Sequence, residues 1–184
     1  MLLPEGHLEQ LTDGQLVEQI QAGNDSAFDE SMLRYKRPVV NFCYRLLGNA
    51  EDADDVAQEV FVRVYQRIGD FKPHGKFSTW LFALAHNACI DRLRWRKRHP
   101  TEPLDTAPEP AMDSHETETR EIGDQIAAAV AQLPEDQRTA IVLAEYHGLS
   151  YAEIAGVMHC SEKSVESRLY RAKQTLRQRL AFLL

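Results

Sequence analysis

Two clusters of cations, one of them threaded with aromatic rings, are the residues of this chain best fitted to chemistry, and that chemistry is the binding of a polyanion. In the first, Arg92, Arg94, Arg96, Lys97 and Arg98 surround Trp95, behind a stretch that holds Phe71, Lys72, His74, Lys76, Phe77 and Trp80. Exposed rings beside cations suit unstacked bases, since any base offers a π-face and stacking contributes about 1–3 kcal/mol per base. The cluster points to single-stranded or opened nucleic acid rather than plain duplex. The competing reading makes Phe71, Phe77 and Trp80 core anchors, and at Trp80, which an apolar helix face follows, both readings stand. In the second cluster Lys163, Ser164, Ser167, Arg168, Arg171, Lys173 and Gln174 lie on the polar side of one helical pattern. Such side chains read base edges from the N-terminal half of a helix and hold phosphates from the rest. A solvated amphipathic face is the bland alternative.

Carboxylates gather at Glu51, Asp52, Asp54, Asp55 and Glu59. Paired carboxylates bind divalent cations, but a bundle metal site draws matching ligands from a second helix, and no such set is visible. A solvated or partner-binding face is the better reading. His86 and Cys89 stand three residues apart, yet two ligands do not make a site, and packing explains them. With no Gly-rich phosphate loop, nucleophile elbow or convincing triad in the sequence, neither catalysis nor a cofactor is expected. Cys43, Cys89 and Cys160 are scattered and odd in number, which fits reduced thiols.

The elements that must position these groups are helices. Apolar residues recur at three and four throughout, without strict alternation of useful length. A short helix carries Leu16 and Ile20 behind a cap at Thr12 or Asp13. A second is expected over 25–47, bent at Pro38 and stopped by Gly48. A third follows Asn49, a good N-cap, with acidic residues favourably placed in its first turns. A fourth is expected from a Ser78 cap into the basic run ending at Arg98. After a stretch at 99–119 rich in Pro and acidic residues, read as a linker, helices are expected over 121–133, from Pro134 to near residue 146, from a Ser150 cap, and from a Ser161 cap to near residue 181. The last pair, joined by a tight turn at His159-Cys160, has the lengths of a helix-turn-helix, with Ala155 as the small residue at the crossing. The expected fold is all-α: two small helical domains, 8–98 and 120–184.

At 184 residues, 43% hydrophobic and 27% charged, the composition is that of a soluble globular protein. The apolar runs at 80–85 and 140–144, like every other in the sequence, fall far short of the roughly 18 residues of a membrane span. No basic region precedes an apolar stretch at the N-terminus, so a cytoplasmic protein is expected. The formal charge of −7 hides an alternation: residues 61–100 carry nine basic side chains against two acidic, and residues 137–184 seven against four, while 1–60 and 101–136 are strongly acidic. An acidic protein can thus present two separate cationic surfaces.

The order of these motifs resembles a known family. Ala27-Phe28-Asp29-Glu30 through Arg34-Tyr35, Asp52-Ala53-Asp54-Asp55-Val56-Ala57-Gln58-Glu59-Val60-Phe61, Phe77-Ser78-Thr79-Trp80-Leu81-Phe82-Ala83-Leu84-Ala85-His86-Asn87 and Asp91-Arg92-Leu93-Arg94 resemble region 2 of the extracytoplasmic function sigma factors of bacterial RNA polymerase. Leu133-Pro134-Glu135-Asp136-Gln137-Arg138, Gly148-Leu149-Ser150-Tyr151-Ala152-Glu153-Ile154-Ala155 and Ser164-Val165-Glu166-Ser167-Arg168-Leu169-Tyr170-Arg171-Ala172 resemble region 4. The resemblance implies docking of Asp52, Asp55, Gln58, Glu59 and Phe61 on the clamp helices of core polymerase. It implies capture of an unpaired minus-10 base and duplex opening by Lys72, His74, Lys76, Phe77, Trp80, Asn87, Arg92, Arg94, Arg96 and Lys97. It gives minus-35 reading to Lys163, Ser164, Ser167, Arg168, Arg171 and Lys173, and an anti-sigma factor as a further partner. Two departures stand out: His159 where the family turn usually has Gly, and Lys72-Pro73-His74-Gly75-Lys76 in place of an acidic Gly-Glu loop. His tolerates positive φ better than most residues. The alternatives from other classes are a stand-alone helix-turn-helix regulator and an enzyme built on the carboxylate cluster.

Overall fold

Side-chain caps fix the starts of four of the described α-helices. The computed structural model describes residues 5–72, 75–100 and 117–183, and the described residues are helical with no strand. A short 3-10 turn, Glu5–Gln10, leads to α1 (Asp13–Gln21), whose N-cap Thr12 forms a reciprocal capping box with Gln15. Then follow α2 (Asp25–Leu47), α3 (Ala50–Arg67) and α4 (Phe77–Arg98). Gly48 closes α2 at φ 69°, a left-handed conformation in which Gly carries no Cβ penalty. One residue on, the Asn49 side chain accepts from the Asp52 amide and starts α3. Pro38 is accommodated inside α2.

The second unit comprises α5 (Thr117–Ala131), α6 (Glu135–Glu145), α7 (Tyr151–Val157) and α8 (Glu162–Arg179). Ser150 and Glu153 form a capping box at α7, and Ser161 accepts from Ser164 at α8. Between α7 and α8, His159 takes φ 50°, so the turn that usually needs Gly is made by His. Linker residues 101–116 lie outside the described residues, as does His74.

Two boundaries differ from the sequence reading. The fourth helix starts at Phe77, not after Ser78, and its N-cap Lys76 makes no side-chain cap bond. The Phe77 ring is buried against Tyr35 and Phe71, which draws the first turn one residue earlier, and the Ser78 hydroxyl bonds Tyr35 instead. The fifth helix begins at Thr117, inside the expected linker.

The core of the first unit stacks Leu16, Phe42, Leu46, Val56, Val60 and Leu81, all buried. Truncating one such side chain to Ala typically costs 2–5 kcal/mol. Arg34 fastens the N-terminal turn to α2 by donating to the carbonyls of Leu8, Glu9 and Leu11 and to Glu30. Buried Cys43 and Cys89 are hydrogen-bonded to each other; that bond and burial push the Cys89 thiol well above the ordinary range, so Cys89 rests as a thiol. In the second unit Leu143, Ile154, Val165 and Leu169 form the packing face of the helix-turn-helix, with Ala155 at the crossing. No described helix is long and apolar enough to cross a membrane.

Candidate functional site

Asp52 is the hinge of the first cationic face. Its carboxylate accepts from Arg92 at 2.6 Å and also from Arg96, whose other nitrogen donates to the Leu47 carbonyl at 2.9 Å. Burial holds the Arg96 guanidinium below its ordinary range without discharging it. Asp52 is thus a half-buried brace between α3 and α4, set back from the exposed row of Asp54, Asp55 and Glu59 with neutral Gln58 among them. Beyond the brace, Lys72, Lys76, Asn87, Arg94 and Lys97 are exposed.

The aromatic residues divide. Phe71 and Phe77 are buried and pack edge-on at 6.0 Å. Trp80 leans on both, at 5.5 and 6.0 Å, and keeps part of its surface outside. Phe77 therefore has no free ring face for a base in this conformation, because the same ring anchors the start of α4. The ring that does stand clear is Trp95, 48% exposed and stacked on His99 at 4.8 Å. It borders a cavity of about 430 Å³ together with Arg63, Asp91, Arg92 and Arg98. The sequence placed Trp95 within the basic run, but its stacking partner was not foreseen.

On α8, Lys163, Ser167 and Arg171 are exposed at four-residue spacing, a single stripe that Tyr170 joins at 66% exposure. Opposite it, Val165, Leu169 and Ala172 are buried. Ser164 is half-buried, and Lys173 pairs with Glu145 of α6 at 2.9 Å, which raises its pKa. Arg168 lies off the stripe, donating to Asp136 at 3.1 Å and to the Cys160 sulfur at 2.9 Å. It braces α8 against the start of α6.

Between α2 and α3 runs an apolar groove of about 670 Å³, lined by Phe28, Met32, Val40, Phe61, Val62 and Tyr65 and edged by Asp54 and Gln58. Phe61 forms its buried floor, while Val62 and Tyr65 are 56% and 55% exposed, and Leu33 on α2 is 77% exposed. The groove is a feature that single-residue reasoning missed; exposed Val62 and Tyr65 between apolar core positions of α3 were its available signal. Among the described residues no group of three or more His, Cys, Asp or Glu is arranged to hold a metal ion.

The two units also touch. Lys76 pairs with Glu153 of α7 at 2.8 Å, and Lys97 with Glu135 of α6 at 3.7 Å. The Lys76 and Ser150 hydrogen bonds hold the Glu153 carboxyl at about 2. A Cβ on Gly156 would stand 4.0 Å from the Thr79 methyl, so α7 rests close over the start of α4.

Comparison with known proteins matches residues 32–99 to Sigma-70 region 2 and residues 123–176 to Sigma-70, region 4. The chain is 38% identical to the RNA polymerase sigma-H factor of Pseudomonas aeruginosa, over 96% of this chain and 98% of that protein. It is 33% identical to the ECF RNA polymerase sigma factor SigW of Bacillus subtilis, over 89% and 94% of the two chains. Among solved structures it is similar to CnrH in complex with the cytosolic domain of CnrY, with a TM-score of 0.72 and 28% identity, over 92% of this chain and 97% of that one.

Proposed function

This chain belongs to the extracytoplasmic function sigma factors of RNA polymerase, and from that premise we propose how its residues divide promoter-specific initiation. The unit over 8–98 docks on core polymerase through Asp55, Gln58 and Glu59, with Phe61 acting from the floor of the adjoining groove. Asp52 supports this face indirectly, by fixing α3 to α4. The exposed cations Lys72, Lys76, Arg94 and Lys97, with Asn87 and the partly exposed Trp80, grip the minus-10 element as it opens. Arg92 and Arg96 join once phosphate competes for them, and His74, between Lys72 and Lys76 in sequence, is assigned to the same grip. Phe77 supports this grip from the core. In the unit over 120–184, Lys163, Ser167 and Arg171 reach base edges and phosphates of the minus-35 duplex; Ser164 and Lys173 flank them, and Arg168 positions the helix.

The observation that carries this reading is the α8 stripe: three polar or cationic side chains on one exposed line, after a capped helix and a left-handed turn that set the angle of a helix entering a major groove. The chain works in the cytoplasm and catalyses nothing; it lends core polymerase two small DNA grips whose joint engagement raises their effective concentration. An anti-sigma factor that covers the α2–α3 groove would block core docking; the similar CnrH is itself solved in complex with the cytosolic domain of CnrY.

Transcription in vitro tests the whole reading. Core polymerase with this chain is expected to initiate at specific sites, and the chain alone to bind promoter duplex poorly. Asp55→Arg and Glu59→Arg should each abolish capture of core in a pull-down while leaving the circular dichroism spectrum unchanged, since both side chains are exposed. Tight, specific footprinting by the isolated chain, or core capture by both variants, would overturn it.

A further inference from the structure

Two histidines lie where the helical units meet, and neither the core-docking face nor the DNA grips make use of them. His147, just after α6, projects into the first unit: its ring centroid lies 4.3 Å from that of Phe82 on α4 and 5.8 Å from that of Phe42 on α2. Both phenylalanines are core residues of the first unit. The His147 Nε2 is buried with no hydrogen-bond partner. The charge facing it is Arg45 of α2, whose guanidinium also sits 3.7 Å from the Tyr146 ring centroid. His86 of α4 occupies the same interface, with its Nδ1 buried and unpartnered. The charged and titratable groups around His86 are His159, Glu135 and Arg168 of the second unit, with Asn87 hydrogen-bonding it from α4 itself.

We infer that the contact between the two units is a proton-sensitive latch, closed while His147 is neutral and packed between Phe42 and Phe82, and opened when that ring takes up a proton. A neutral imidazole fills the space between two phenyl rings as an apolar plate. An imidazolium there has no carboxylate or carbonyl to receive its new N–H, loses water, and meets the Arg45 charge, so the closed form resists protonation.

The direction follows from the two states. Burial and then Arg45 hold His147 at about 4 in the closed chain, against an ordinary 6.5 once the ring is released to water. The closed form is therefore fully favoured above pH 6.5 and weakens progressively as the pH falls from there towards 4. Burial and then His159 move His86 in the same direction, so it adds to the effect. The Lys76–Glu153 pair adds little above pH 4.5, because there the Glu153 carboxyl is ionised both in the closed form, at about 2, and at its ordinary 4.5 once released.

The consequence for promoter binding rests on the proposed function: α7 stands over Lys76 and Trp80, and opening frees them. The test of the latch needs neither polymerase nor DNA, so its failure is distinct from failure of that reading. Fluorophores on Leu33 of α2 and Tyr170 of α8, both highly exposed, report closure of the full chain by energy transfer. Between about pH 7.5 and about pH 5.5 the closed-to-open ratio of the wild type should fall about tenfold, as expected for one imidazole titrating in the open form alone. His147→Phe keeps the ring contact and removes the proton site, so it should lose most of that response, with circular dichroism checking the fold at both pH values. Should that variant fail to fold, His147→Leu also removes the proton site while keeping an apolar side chain between the two rings, and should lose most of the response. A wild type equally closed at both pH values, or a folded His147→Phe or His147→Leu that responds like wild type, overturns the proposal.

Discussion

On α4 two of the arginines proposed to meet DNA are already engaged inside the protein, whereas on α8 the stripe of Lys163, Ser167 and Arg171 stands clear of it. Arg92 and Arg96 converge on Asp52, and at the other end of α4 the rings Phe71 and Phe77 are core. The difference fits two kinds of work. A duplex groove has a fixed shape, so a rigid helix with free polar side chains meets it without rearrangement. An opening duplex changes shape during the event, and its grip must exchange internal partners for phosphates and bases as the strand emerges. Pairing Arg92 and Arg96 in advance also fixes their rotamers, which lowers the entropy lost on binding.

The largest effect that sharpens this contrast is expected at Phe77. At 4% exposure, its replacement by Ala should cost about 3–5 kcal/mol of stability in chemical denaturation, through lost burial and the cavity left behind. Trp80→Ala, at a partly exposed ring, should cost less stability and more open-complex formation. If both variants lose stability equally and neither affects opening beyond that loss, the aromatic cluster is purely structural.

On α8 the matching change is Arg171→Ala or Lys163→Ala. Each should leave stability nearly unchanged and cost about 1–3 kcal/mol of minus-35 discrimination if it makes a base contact. Opening of a premelted template should be spared. Arg168→Ala should behave differently, because its guanidinium is spent on Asp136 and Cys160: a small loss of stability accompanies any loss of binding. Equal discrimination losses at Arg168 and Arg171, with no stability change at either, would place both on the reading face.

What was legible in the sequence was local. Asn49, Ser150 and Ser161 announce helices because a cap acts within three residues, and all three hydroxyl or amide oxygens accept as expected. Gly48 and the His159 turn are legible for the same reason. Ser78 misled because a tertiary force, the burial of Phe77, overrode a local preference. The role of Phe77 was ambiguous since the same ring serves a core or a base, and only its surroundings decide. Partners distant in sequence left no periodic trace: Arg168 meets Asp136 across 32 residues and Arg92 meets Asp52 across 40. The packing of His147 on Phe42 and Phe82 was invisible on the same ground.

A smaller effect is expected where α4 meets α3. Asp52→Asn removes the charge that two half-buried guanidiniums share, and should cost about 1–2 kcal/mol in thermal or chemical denaturation. The comparison gains an edge if the same variant, assayed at a temperature where it is folded, grips a premelted template more tightly, since Arg92 and Arg96 are then free for phosphate. Weaker gripping at full folding would mean that the brace, and not the availability of the arginines, governs this face.

The smallest effect concerns Glu153, which serves both halves of the comparison: it caps α7 through Ser150 and pairs across the interface with Lys76. Its carboxyl is held at about 2, chiefly by the bond from Lys76 and then by Ser150, against an ordinary 4.5. A carboxyl lowered on folding contributes stability that is fully present above pH 4.5 and is lost as the pH falls towards 2. Because the Lys76 end of the pair is 74% exposed, the contribution at neutral pH should be under about 1 kcal/mol. Glu153→Gln keeps a cap acceptor and removes the charge, so denaturation midpoints of wild type and variant should converge as the pH is lowered through this range. Lys76→Ala separates the two roles, since it leaves the cap intact. If it flattens the acid dependence as fully as Glu153→Gln does, the contact between units carries the effect. If the acid dependence persists in Lys76→Ala and vanishes only in Glu153→Gln, the cap carries it, and the ion pair across the interface adds orientation without measurable stability.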